Sequence, residues 1–199
     1  MSRSRVRGLR WTFVITAVAT ICIGTAPIRG ARASPYRGAA AVLMEFTARV
    51  GDYMAQHDRV AAAVGPLNPS ASPADIAARE AAMGRALRVA RAGARQGDIL
   101  IPQAAQVFRA IIRRGLAHRA RLPRGERDEA PDERPAFNPR VNQIYPATEP
   151  LAMMPPGVLR DLPRLPEPLE YRFVRQHLIL RDREANLIVD VLPSAAPPP

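Results

Sequence analysis

Residues 171–192 read YRFVRQHLILRDREANLIVDVL. The stretch contains three short runs rich in aliphatic and β-branched residues, Tyr171–Val174, Leu178–Leu180 and Leu187–Leu192, and polar turns separate them. This pattern predicts a small antiparallel β-meander. The sequence REANLI at 183–188 is also compatible with a helix. For residues 182–192, strand and helix therefore both remain as predictions. Three strands are marginally stable alone, so we expect the meander to dock on helices elsewhere in the chain.

Three amphipathic helices are predicted before this stretch. Their ranges are residues 39–64, about 73–95 and about 102–121, and apolar residues recur in each at spacings of three and four. Ser72 and Asp75 form a capping pattern at the start of the second helix. Short connections favour antiparallel neighbours, so we expect a three-helix bundle. The predicted inward-facing residues are Leu43, Phe46, Val50, Tyr53, Val60, Ile76, Met83, Leu87, Ala90, Ala94, Phe108, Ile111, Ile112 and Leu116.

The fold class predicted from these elements is mainly α, as an α+β arrangement of bundle, proline-rich extended segment and meander. Eleven prolines between residues 123 and 168 interrupt any helical period. A short turn of helix is expected at Pro156–Leu162, and the rest of this segment is expected to wrap along the bundle. The predicted organisation is a signal peptide at 1–33, a helical bundle at 34–122, a charged proline-rich linker at 123–140, an extended segment with the meander at 141–192, and a disordered tail at 193–199.

The N-terminus has the three parts of a secretory signal peptide. Four arginines precede an apolar run from Trp11 to Ala26, and Ala31-Arg32-Ala33 follows as a cleavage pattern. The run of 16 residues is shorter than the ~20 that a permanent membrane anchor needs, although an uncleaved anchor is the alternative. We therefore predict a periplasmic or secreted protein without a permanent membrane span after cleavage.

The composition excludes several chemistries once cleavage after Ala33 is assumed. Cys22 is the one cysteine and would leave with the signal peptide, so disulfides, thiolate metal sites and cysteine nucleophiles are excluded. All 29 basic residues are arginines. Six of them and no acidic residue lie in the first 33 positions, so the net charge falls from +11 to +5 on cleavage.

Residues that could carry catalysis or bind a metal form no recognisable motif. GxSxG, HExxH and glycine-rich phosphate-binding patterns are absent from the sequence. Of the three histidines, His57 is the candidate, because it falls on the apolar stripe of the first helix. It could be a metal ligand or general base, or a partly buried histidine bonded to a carbonyl or an acid. We predict no catalytic residue, no cofactor and no metal site, and hence no enzyme.

Charge is unevenly distributed along the helices. From Arg79 to Arg124 there are eleven arginines and two acids, and the linker that follows carries five acids. This basic region either contacts an anionic envelope component or an acidic protein, or is a solvated surface that the linker partly neutralises. Nucleic acid is not expected as a partner because the protein is predicted to be exported. The candidate contact residues are Arg85, Arg88, Arg109, Arg113 and Arg114.

Three segments resemble an uncharacterised family of secreted or periplasmic bacterial proteins. They are EFTARVGDYMAQH at 45–57, ARAGARQGDI at 90–99, and LPRLPEPLEYRFVRQHLILRDREANLIVDVLP at 162–193. The resemblance implies export and brings no activity, ligand or catalytic residue. The YRFV…LILRD…LIVDVL pattern is also similar to the hairpin ending of periplasmic nickel/cobalt-homeostasis proteins. There a Gly-Arg-Asp-like turn stands where this chain has Arg175-Gln176-His177, which weakens a role for His177 as a ligand.

Two functional hypotheses follow from the sequence. The first is an exported protein with a non-catalytic binding or structural role in the cell envelope, in which the arginines of the second and third helices supply long-range attraction. The alternative is a periplasmic metal-responsive or metal-sequestering protein, which the C-terminal similarity and His57 suggest. An enzyme of unrecognised type ranks third, and a polar pocket around His57 with an acid in hydrogen-bond reach would favour it.

Overall fold

The described residues form four helices and one four-stranded antiparallel sheet. The structure is a computed structural model that describes residues 35–122, 135–151 and 154–196. The predicted signal peptide and most of the predicted linker lie outside the described residues. The elements are α1 (Pro35–Val64), α2 (Pro73–Ala90), α3 (Pro102–Arg121), β1 (Gln143–Ile144), α4 (Pro156–Asp161), β2 (Leu169–Val174), β3 (His177–Asp182) and β4 (Leu187–Leu192).

Helices α1 and α3 follow the predicted periodicity. Phe46, Val50 and Tyr53 of α1 are buried, as are Phe108 and Ile112 of α3. These residues recur at three and four positions, so they lie on one face of each helix. Helix α1 packs against both α2 and α3, and α4 packs against α3. The first helix is therefore the element around which the other two long helices are arranged.

Helix α2 is shorter than predicted. It starts at the expected cap, where Ser72 and Asp75 form a capping box, but it ends at Ala90 rather than near Arg95. The chain leaves the helix at Arg91, whose side chain turns into the core and donates to the carbonyl of Val189 at 2.9 Å. Two predicted inward residues, Ile76 and Ala90, are exposed, because Met83, Gly84 and Leu87 form the buried side of α2.

The C-terminal meander is confirmed, and the open question about residues 182–192 is resolved: residues 183–186 form a turn, and Leu187–Leu192 form a strand rather than a helix. Strand β3 pairs antiparallel with both β2 and β4, and the sheet order is β1-β4-β3-β2. Arg175 and Asn186 occupy the turns with positive φ angles of 55° and 50°. The β2–β3 hairpin thus turns tightly with an arginine in the left-handed conformation where glycine is usual.

The inner face of the sheet packs on the helices. Leu178, Leu180 and Leu192 belong to the same core cluster as Phe46 and Phe108. The Phe108 ring lies edge-on to the rings of Phe46 and Tyr171, with centroid distances of 5.0 Å and 5.9 Å. Docking of the meander on the helices, which the marginal stability of three strands predicted, is confirmed.

The proline-rich segment divides into two parts: Met154, Val158 and Leu162 pack on the bundle as predicted, whereas the part before them covers the outer face of the sheet. Phe137, Val141 and Tyr145 pack against Ile179 and Ile188 of the strands. Within this segment the short strand β1 pairs with β4, so regular structure forms where none was expected. An outer sheet face with aliphatic side chains needs its own cover, and this segment supplies it.

A β-bulge in β4 brings an acidic residue to the helical side. The register shifts between Leu180 and Arg181 of β3, so that Leu180 faces Asp190 while Arg181 faces Ile188. The extra residue is Val189, which joins the inner core cluster, and Asp190 beside it is fully buried. Such bulges re-aim side chains locally.

None of the helices in the described residues is long and apolar enough to span a membrane.

Candidate functional site

His57 lies on the buried side of α1, one turn after Tyr53, and faces the end of β3. It is 4% exposed. Its Nε2 lies 3.5 Å from Oδ2 of Asp182 and 3.9 Å from Oε2 of Glu184. Its Nδ1 lies 3.2 Å from Oδ1 of Asp58. The structure thus places the candidate histidine beside a buried carboxylate from a distant part of the chain.

Asp182 is the centre of this cluster and has no exposed surface. The Tyr53 hydroxyl donates to its Oδ2 at 2.6 Å, and the backbone N–H of Ala185 donates to its Oδ1 at 3.0 Å. Burial, followed by the proximity of Asp182, raises the pKa of Tyr53, so the phenol stays protonated and donates. This short charge-assisted bond fastens α1 to the β3–β4 turn.

The cluster is enclosed rather than open. Tyr53 and His57 are each 4% exposed, and Nε2 of His57 has no hydrogen-bond partner among the described residues. Within the same residues, no group of three or more His, Cys, Asp and Glu side chains is placed to hold a metal ion. The metal-binding alternative gains no ligand set here and stays a prediction.

Arg91 is buried next to this cluster, although the sequence analysis included it among the eleven arginines of the basic region. It is 8% exposed, and its guanidinium lies over the Tyr53 ring at 5.1 Å. Burial lowers the pKa of Arg91, and nearby groups, Tyr53 and Asp190 foremost, offset part of this effect. An arginine stays charged in proteins even so, so the core holds a cation between α1 and β4.

Asp190 binds the loop that connects α2 to α3. Its Oδ1 accepts from the backbone N–H groups of Gly97 and Val191, and its Oδ2 accepts from those of Ile99 and Leu100, at 2.7 to 2.9 Å. A buried carboxylate with four amide donors is fully satisfied. Asp190 therefore has a structural role: it holds the residues that lead into α3.

Of the five predicted contact arginines, four are exposed. Arg85 and Arg88 lie on α2, and Arg113 and Arg114 lie on α3. Their side chains make no hydrogen bond or ion pair with any other residue that the structure describes. Arg109 differs, because it is half-buried and its guanidinium donates to the Pro193 carbonyl at 2.8 Å. We refer to Arg85, Arg88, Arg113 and Arg114 as the helix arginines.

Arginines of the sheet are paired instead. Arg181 and Arg172 donate to the two oxygens of Glu170 at 2.7 Å and 2.6 Å. Arg181 also donates to Oδ1 of Asn186 and lies over the Tyr145 ring at 5.2 Å. Burial pushes the pKa of Glu170 upward, but the hydrogen bonds from the two arginines outweigh it, so the pKa lies below its usual value. These charges stabilise the outer face of the sheet.

Three buried charged residues were not predicted from the sequence: Arg91, Asp182 and Asp190. Each had a signal. Asp190 stands inside the aliphatic run LIVDVL, and an acid there is rarely buried without partners. Arg91 lies four residues after the buried Leu87 and so shares its helix face. Which partners these side chains reach could not be read from spacing, because the partners are distant in the chain.

Comparisons with protein-family models, with curated proteins and with solved structures find no match to this chain. The family resemblance and the export predicted from the sequence therefore stay predictions. What the protein does has to be inferred from the placement of its own charged and buried side chains.

Proposed function

We propose that the protein has a non-catalytic binding role in the bacterial cell envelope, in which the helix arginines contact an anionic surface. The observation that carries the proposal is their unpaired state. All four are exposed and have no acidic partner among the described residues, whereas the sheet arginines Arg172 and Arg181 bond to Glu170. Charge without an internal partner is available to an external one.

The spacing of the helix arginines concentrates positive charge on each helix. Arg85 and Arg88 are three residues apart, so they lie on the same side of α2. Arg113 and Arg114 are adjacent in α3. Near a negatively charged membrane each such residue contributes about 1 kcal/mol of attraction, which falls off within a Debye length. Four of them together give weak, salt-sensitive binding.

An exposed apolar side chain favours a lipid surface as the anionic component. Val89 is 78% exposed, directly follows Arg88, and lies four residues from Arg85 on the same side of α2. An exposed apolar side chain beside two arginines adds apolar contact with the headgroup region to the attraction between opposite charges. The predicted signal peptide agrees with an envelope location, since anionic lipid head groups are accessible there.

The test is flotation of the purified protein with lipid vesicles, with and without anionic phospholipid. The variant R85Q/R88Q/R113Q/R114Q removes the helix arginines. The matched control R59Q/R140Q/R160Q/R164Q removes the same charge from arginines that are also exposed. We expect the wild type and the control to bind anionic vesicles at low salt and the first variant to lose at least tenfold in affinity.

Other outcomes would change the proposal. Equal loss in both variants would show that net charge alone drives binding. Binding that survives high salt would show that apolar contact, rather than the arginines, dominates. No binding to vesicles, combined with arginine-dependent binding to washed envelope fractions, would identify an acidic protein as the partner. No arginine-dependent binding to either material would overturn the proposed function.

A further inference from the structure

A cleft lies between α1 and the segment that connects α2 to α3. It has a volume of about 350 Å³, which is the size of a small-molecule site. Tyr53 and Arg91 line it from the buried cluster, Asp52 and Asp98 contribute acidic groups, and Ala94 contributes apolar surface. None of the helix arginines lines it, so the cleft is independent of the proposed envelope contact.

Arg91 gives the cleft an unsatisfied cation. The guanidinium uses Nη2 to donate to the Val189 carbonyl, while Nη1 is buried and has no hydrogen-bond partner among the described residues. Asp190, which follows Val189 in β4, already accepts four backbone N–H groups. A buried charge without a hydrogen-bonded counter-ion is costly. An acceptor that enters from the cleft would supply the hydrogen bond that Nη1 lacks.

We propose that this cleft binds a small organic monocarboxylate whose oxygens accept from Arg91. A guanidinium matches the planar carboxylate group in geometry and charge. The lining also includes Arg49, which already bonds to Glu45 and to the Asp98 carbonyl. Asp52 and Asp98 on the lining repel an anion of higher charge, such as phosphate, more strongly than a monocarboxylate. Ala94 and Ile99 provide contact for a short alkyl group. The carboxylate belongs either to a free small acid or to the C-terminus of a peptide.

The direct experiment is a titration of the isotope-labelled protein, followed by amide NMR. The probes are acetate, propionate, the dipeptide alanylalanine and inorganic phosphate. We expect saturable shifts confined to residues 49–56 and 90–99, with a dissociation constant on the order of 1 mM or below for a carboxylate. Tighter binding of propionate than of the dipeptide identifies a free acid as the ligand, and the reverse order identifies a peptide C-terminus.

Two variants keep the proposal open to refutation. Ala94→Leu fills the cleft without changing Arg91, and Ala92→Leu makes the same change at an exposed neighbour that does not line the cleft. We expect at least tenfold weaker carboxylate binding for the first and unchanged binding for the second. Arg91→Lys should weaken binding as well, provided that circular dichroism shows it folded.

Three results would overturn the proposal. One is the absence of saturable shifts with any carboxylate. A second is carboxylate binding that Ala94→Leu leaves intact. A third is phosphate binding as tight as carboxylate binding, with shifts spread over the exposed arginines of α2 and α3, since that would show non-specific anion attraction.

Discussion

The sheet and the helices use arginine in different ways. On the sheet, Arg172 and Arg181 share the carboxylate of Glu170, and the side chain of Arg181 is only 10% exposed. On α2 and α3, the helix arginines are exposed and unpaired among the described residues. Residue type and side-chain charge do not distinguish the two groups, since both consist of arginines. What separates them is whether the fold places an acceptor within reach.

Because of this difference, we expect the sheet arginines to contribute to stability and the helix arginines to contribute to binding. A buried pair must be satisfied when the chain folds, so removing one member leaves a desolvated partner behind. An exposed arginine leaves nothing unsatisfied when it is removed, so its loss changes mainly the long-range attraction of charged partners. The buried acids Asp182 and Asp190 belong with the first group. Substitutions in the two regions should therefore change different observables.

The largest expected effect comes from Asp190→Asn. The amide keeps the shape of the side chain, but its NH₂ group cannot accept from the two N–H groups that now share one carboxylate oxygen. Leaving buried donors unsatisfied should lower the free energy of unfolding by about 3–5 kcal/mol. Chemical denaturation measures this, with Asp52→Asn as the exposed control, for which we expect a change below about 0.5 kcal/mol. Equal effects at the two positions would remove the distinction between buried and exposed charges.

A smaller loss is expected for Tyr53→Phe. The substitution removes the hydroxyl that donates to Asp182 at 2.6 Å, and bonds to charged groups contribute about 1.5–3 kcal/mol. Tyr145→Phe is the matched control, because its hydroxyl donates at 2.6 Å to the neutral carbonyl of Pro150, where about 0.5–1.5 kcal/mol is typical. Thermal and chemical unfolding should rank the two variants in this order. The opposite order would contradict the Tyr53–Asp182 bond as the stronger of the two.

Glu170→Gln tests the paired arginines through pH. The pKa of Glu170 is lowered in the folded state, so its stabilising contribution is present above the usual glutamate value of about 4.5 and is lost as the pH falls through the lower folded pKa. We expect the wild type to be more stable than the variant by about 1 kcal/mol at neutral pH, after screening by solvent. The difference should vanish at the acid end of the titration. A pH-independent difference would contradict the pairing, and Glu167→Gln, whose side chain is 91% exposed, should show almost none.

The elements of the fold could largely be predicted from the sequence, because they depend on local pattern. The period of the apolar residues located α1 and α3, and Pro156 with its neighbours located the short helix α4. The end of α2 could not be located in this way. The chain departs from the helix at Arg91, whose side chain bonds to Val189 far away in sequence, and helix propensity does not locate this point.

The candidate site was predictable only in part, for the same reason. His57 and the helix arginines stood out because of residue type and helical phase alone. Asp182 became part of the cluster through a sheet that docks on α1, and Asp190 faces the helices because a bulge shifts its register. Bulges and long-range docking depend on tertiary packing. The exposed group was thus visible in the sequence, whereas the satisfied, buried group required the structure.

Substitution of the helix arginines should have the smallest effect on stability, although it should have the largest effect on binding. The variant R85Q/R88Q/R113Q/R114Q removes like charges that are three residues apart or adjacent, so its free energy of unfolding should stay within about 0.5 kcal/mol of the wild type or rise slightly. Arg181→Gln removes one charge only, yet it should cost about 2–3 kcal/mol, because Glu170 and Asn186 lose a buried donor. Chemical denaturation of both variants gives the comparison. If the fourfold variant loses as much free energy of unfolding as Arg181→Gln, the helix arginines contribute to the electrostatics of the folded core and are not free to attract a membrane.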